Sequence, residues 1–113
     1  MDRHLTRIRQ RTLNASFDFL RAQRAYLRAA RPDRRRPAAE LKRFAEAVRA
    51  STLAYQMALR GMLDHLRASV PSEGRDEEIT RAEDSLFALG RDQVVFDDLI
   101  ARQAKVMARR ERH

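Results

Sequence analysis

The chain of 113 residues has no cysteine and no tryptophan, and only three glycines and three prolines. Without cysteine there are no disulfides, no thiolate metal ligands and no sulfur redox chemistry, and a cytoplasmic setting is compatible. With so little glycine and proline, few positions force a helix to stop. Nowhere do the roughly 20 apolar residues of a membrane span occur. The opening Met1-Asp2-Arg3-His4 does not lead into the apolar run of a secretory signal. The expectation is a single non-membrane, cytoplasmic domain, residues 1–113, with one hydrophobic core.

What the chain has in abundance is Ala, Leu and Arg, all strong helix formers. The pattern predicts an all-α fold, a compact bundle of three long helices at about 3–30, 37–69 and 75–111. Arg31 before Pro32 marks the first stop, since a residue preceding proline is pushed out of the helical region. Pro37 suits the first turn of the second helix, where its missing N–H costs little. Val70-Pro71-Ser72-Glu73-Gly74 is the second break, with Ser72 or Asp76 available as N-cap. Leu89-Gly90-Arg91-Asp92 leaves two outcomes open for the third helix: a glycine C-cap with a fresh start, or one continuous helix that tolerates a glycine at about 1 kcal/mol.

Helical periodicity assigns faces. In helix one, Leu5, Ile8, Ala15, Phe19, Ala22 and Tyr26 form an apolar stripe that Leu13, Leu20 and Leu27 widen, enough to require two neighbours. Arg9, Ser16 and Gln23 recur every seven residues within that arc, a polar seam that needs partners if buried. Helix two repeats Leu41, Phe44, Val48, Thr52, Tyr55, Leu59, Met62 and Leu66 at spacings of three and four, flanked by Ala45, Ala47, Ala50, Ala54 and Ala58. It is therefore expected to be central. Helix three is expected to bury Ile79, Ala82, Leu86, Phe96, Leu99, Ile100, Val106 and Met107. Most aromatics, Phe87 among them, are expected in the core, with Phe17 at the edge of its stripe.

Charge is segregated. Residues 1–43 hold thirteen basic and four acidic side chains, whereas residues 73–98 hold three basic and nine acidic. Such a basic arm suits phosphates, an anionic surface or an acidic protein face. Arg3, Arg7, Arg11, Arg21 and Arg28 lie on one side of helix one, continuing through Arg31, Arg34, Arg35 and Arg36. A second ridge, Arg102, Lys105, Arg109 and Arg112, lies on helix three. Planar guanidinium groups at three- and four-residue steps meet phosphates bidentately, so both ridges are candidate contacts to a nucleic-acid backbone, RNA or single-stranded DNA. The plain alternatives are a solvated face in an arginine-rich composition, twenty-two Arg to two Lys, and neutralisation of helix one by the acidic start of helix three. The exposed aromatic anchors of a membrane-surface helix are lacking, and no membrane partner is expected.

Histidines are few and offer no metal-ligand spacing, so neither a metal nor a cofactor is implied. Arg60-Gly61-Met62-Leu63-Asp64-His65 is similar to the Arg-x4-6-His signature of HEPN-domain ribonucleases. That resemblance implies Arg60 and His65 as catalytic residues converging across a dimer, with Gly61 where the family usually has a polar residue. In size, helicity and basic faces the chain resembles the small helical subunits of CRISPR effector complexes. This implies a non-catalytic subunit that holds RNA or a displaced strand within a ribonucleoprotein, beside other protein subunits. The three-helix pattern also resembles flagellar and type III secretion chaperones, which implies an adaptor. Its polar seam Arg9, Ser16 and Gln23 and the alanine side of helix two would then serve self-association or a client helix.

Overall fold

A computed structural model describes residues 3–31 and 36–111 of the chain. They form three α-helices, α1 (Arg3–Ala29), α2 (Ala38–Arg67) and α3 (Glu73–Glu111). The expected all-α bundle of three long helices holds, in an elongated form. Its radius of gyration is 17.8 Å and its extents are 63 × 22 × 17 Å, against about 13 Å for a compact chain of about 100 residues. The length comes from α3, which runs unbroken through Gly90 for 39 residues.

The helix boundaries follow local chemistry. Pro37 sits one position earlier than expected, at the N-cap of α2 rather than inside its first turn. Its carbonyl accepts from the amides of Glu40 and Leu41 at 3.0 and 3.2 Å. Ser72 caps α3, its hydroxyl accepting from the Arg75 amide at 3.1 Å. Arg75 donates Nη1 to the Ser69 carbonyl at 2.8 Å and so ties the start of α3 to the end of α2. Glu73 and Asp76 occupy the first turn of α3, and Arg109 and Arg110 its last, both favourable to the helix dipole.

α2 is central, packing its backbone against α1 on one side and α3 on the other. Its predicted seam is the core: Leu41, Val48, Thr52, Leu59, Met62 and Leu66 are buried, with Phe44 and Tyr55 half-buried. One cluster joins Leu59, Met62, Leu63 and Leu66 to Ala82 and Leu89, with Leu5, Ile8, Phe19 and Ile79 packed against it. The other joins Tyr26, Ala45, Val48 and Phe96, with the Tyr26 and Phe96 rings edge-on at 5.1 Å. The two buried threonines are satisfied: Thr12 donates to the Ile8 carbonyl at 2.9 Å and Thr52 to the Val48 carbonyl at 2.7 Å.

Several expectations about burial are corrected. Leu13, Leu20 and Leu27 are each more than 40% exposed, on the Arg9 side of α1, where an open groove lies between α1 and α3. Phe87 and Val106 are exposed rather than core. In α3 a single heptad row, Ala82, Leu89 and Phe96, enters the interior, and Phe87 lies well away from that row around the helix. Ala47, Ala50 and Ala54 are exposed, so the alanine side of α2 is bare, whereas Ala45 is buried.

Candidate nucleic-acid interface

Arg3, Arg7 and Arg11 step along α1 four residues at a time, which sets neighbouring Cβ atoms about 5–6 Å apart in one row. Arg21 and Arg28 extend the row, and all five are exposed. Arg3, Arg7 and Arg11 make no ion pair among the described residues. Arg21 meets Asp18 at 2.6 Å, and Arg28 donates Nε to the Arg24 carbonyl at 3.5 Å. Arg31 is exposed just past the helix. Arg36 is half-buried and paired with Glu40. Arg34 and Arg35 of the connector, and Arg112 near the C-terminus, lie outside the described residues.

The acidic segment of α3 does not neutralise this row. Its contact with α1 is made through Arg9, which stands on a different side of the helix and donates Nε and Nη2 to the Glu78 carboxylate at 2.7 and 2.5 Å. That bidentate bond holds the Glu78 carboxyl below the usual carboxylate range, against the opposing effect of partial burial. Other acids of the segment pair elsewhere: Asp76 with Arg75 at 3.1 Å, Glu77 with Arg81 at 3.5 Å, Glu83 with Arg67 at 3.6 Å and Asp97 with Arg49 at 3.7 Å. The polar seam predicted on α1 finds some of its partners within the chain. Arg9 bridges to α3, and Gln23 is half-buried beside Asp92, Gln93 and Asp97.

The second ridge lies near the end of α3. Arg102 is paired with Asp98 at 3.0 Å, while Lys105 and Arg109 are exposed and make no ion pair among the described residues. The two basic ridges lie on different helices, with Arg3, Arg7 and Arg11 in the first half of α1 and Lys105 and Arg109 near the end of α3.

Arg60 and His65 also part company within one chain. Five residues of α-helix turn them about 140° away from each other. Arg60 is exposed and His65 half-buried, with the His65 ring edge-on to His4 at 5.0 Å. Among the described residues no three His, Asp or Glu side chains cluster in a way that could hold a metal ion, and no helix is long and apolar enough to cross a membrane.

The helical period alone did not reveal two exposed apolar features. One is the strip Leu13, Phe17, Leu20 and Leu27 on α1, and the other is the trio Phe87, Val94 and Val95 on α3. Beside the first runs an open groove between α1 and α3, flanked by Thr12 and Ser16 on one wall, Ala82 and Ser85 on the other, and floored by Tyr55 and Leu59. The spacing of Leu13, Leu20 and Leu27 at seven residues was the available sequence signal for an unpartnered seam. Compared with known proteins, the chain matches no family model, no curated protein and no solved structure.

Proposed function

We propose that the protein is a non-catalytic helical subunit that binds the phosphate backbone of RNA or single-stranded DNA through the arginine face of α1, within a larger ribonucleoprotein assembly. The observation that carries this is the row Arg3, Arg7 and Arg11, three exposed guanidinium groups without an acidic partner among the described residues, in a molecule whose acids are largely paired elsewhere. Arg3 also sits in the first turn of α1, where it opposes local helix stability. α1 has no acid in its first turn, and a cation near a helix N-terminus costs about 0.3–1 kcal/mol. A phosphate would relieve that repulsion and accept bidentate hydrogen bonds. Arg31, exposed just past the helix, would extend the same track.

The test is fluorescence anisotropy of labelled single-stranded and duplex oligonucleotides of mixed sequence across a salt series. Backbone binding falls with salt at a log-log slope of about 0.7 per phosphate contact for single strands and about 0.9 for duplex. Absence of binding at the lowest salt overturns the proposal.

The α1–α3 groove favours a second reading, an adaptor that seats an apolar client helix against Leu13, Leu20, Tyr55 and Leu59. Such binding persists at high salt and fails on Leu13→Asp with Leu20→Asp, the opposite response on both counts.

A further inference from the structure

The outward face of α3 carries a pattern that the nucleic-acid reading does not use. Along it run an exposed acid, Asp84, then an exposed apolar centre of Phe87, Val94 and Val95 flanked by Arg91 and Asp98, then exposed bases, Arg102, Lys105 and Arg109. Phe87, Val94 and Val95 are 75%, 71% and 66% exposed, the most open large apolar cluster on this helix. An apolar patch so exposed on a charged helix marks a contact surface.

We infer that this face pairs with the same face of a second copy of the chain, α3 against α3 in antiparallel orientation. A two-fold contact requires a patch complementary to itself, and the order of side chains along α3 meets that requirement in one register. With the axis crossing the helix between Val94 and Val95, each residue faces one equally far on the other side of that point. Asp84 then faces Lys105 of the second copy, and Arg91 faces Asp98. Phe87 faces Arg102, whose stem and guanidinium can cover the ring. The two valines close the centre, and Thr80 faces Arg109. Every ionic encounter is between opposite charges, and the axis repeats each of them.

On either side of the central Val94-Val95 pair the steps between these residues alternate three and four, the period that keeps one stripe of a helix against a partner. Parallel pairing is excluded by the same charges, since it sets Asp84 on Asp84 and Lys105 on Lys105. Within one chain Arg91 lies 3.8 Å from Asp92 and Arg102 lies 3.0 Å from Asp98. These pairs are solvent-exposed and contribute little on their own, so exchanging them for contacts across the axis is not opposed by a buried interaction. The contact is rich in charge and modest in apolar area, so its strength falls as salt screens it. The groove between α1 and α3 and the arginine row of α1 stay free in such a dimer.

The experiment is sedimentation equilibrium of the full chain at low and high salt, for the wild type, Asp84→Lys, Lys105→Asp and the double exchange, with circular dichroism to verify helicity. All three changes are on the surface and leave the core intact. The wild type is expected to dimerise at low salt and to weaken by about tenfold or more on going to 0.5 M salt. Each single variant is expected to weaken dimerisation by at least tenfold, because like charges then meet twice across the axis. The double exchange restores opposite charges at that register and is expected to recover the wild-type dimer. A wild type that stays monomeric at millimolar concentration in low salt overturns the inference. So does a dimer indifferent to the single changes, or a double exchange that fails to recover association.

Discussion

α1 and α3 run in the same direction and begin at the same end of the molecule, joined there by Arg9 and Glu78, yet the two beginnings are opposite in charge. α3 opens on Glu73 and Asp76, acids that suit the dipole of their own helix. α1 opens on Arg3, with Arg7 a turn further on and no acid in its first turn. The simplest use of such a pair would be mutual neutralisation. Instead one arginine outside the row takes the acidic contact, and Arg3, Arg7 and Arg11 are left facing solvent. Opposite charge placed nearby in space does not cancel a ridge when the helices meet along a different side. The proposed phosphate binding rests on these three arginines, which find no acid among the described residues.

The comparison can be broken most severely at its foundation. Leu66 is 2% exposed and lies in the cluster against which Leu5 and Ile8 of α1 and Ile79 of α3 pack. Leu66→Ala is expected to cost about 2–5 kcal/mol, measured by urea unfolding, and to loosen both helix starts together. Next in size is Arg3→Ala with Arg7→Ala and Arg11→Ala. It is expected to lower oligonucleotide affinity by about tenfold or more at low salt, as read by anisotropy, while leaving thermal stability equal or slightly raised, since the repulsion at the start of α1 is removed.

A smaller change acts on α3 alone. Gly90 lies in mid-helix, with no atom within 4 Å of an added Cβ, so Gly90→Ala is expected to stabilise by about 0.5–1 kcal/mol in the same urea assay. The smallest effect isolates the bridge between the two starts. The Glu78 carboxyl titrates below its ordinary value because Arg9 favours its charged form. Its stabilisation is therefore present above the ordinary carboxylate pKa and lost as pH falls through the lowered value. Glu78→Gln should destabilise at neutral pH by about 0.2–1 kcal/mol, the range for exposed pairs. That difference from the wild type should vanish at acid pH, in unfolding curves recorded at both.

The seam of α2 was legible in the sequence because alternate steps of three and four from Leu41 to Leu66 are a direct record of burial on two flanks. The helix starts were nearly as legible, since Pro37 and Ser72 act locally. Gly90 was ambiguous because a glycine C-cap and a tolerated interior glycine look alike until packing on both sides is known. The exposure of Leu13, Leu20 and Phe87 was hidden for a different reason. Periodicity gives the apolar face of a helix but not how many neighbours arrive to cover it, and here α3 covers less of α1 than the width of its stripe invites. The candidate arginines were visible as residues. What the sequence could not distinguish was which of them would find an acid: Arg9, Arg21, Arg36 and Arg102 do, and Arg3, Arg7 and Arg11 do not among the described residues.

The most direct measurement compares the salt dependence of single-stranded oligonucleotide binding in three proteins. They are the wild type, the Arg3, Arg7 and Arg11 triple alanine variant, and a control in which the ion-paired Arg49, Arg67 and Arg81 become alanine. Both variants lose the same formal charge. If the α1 row holds the phosphates, its loss lowers the log-log slope by about 2, at about 0.7 per contact, while the control keeps the wild-type slope. Equal slopes in the two variants, or no binding by the wild type at low salt, would contradict the assignment of the row as the phosphate-binding face.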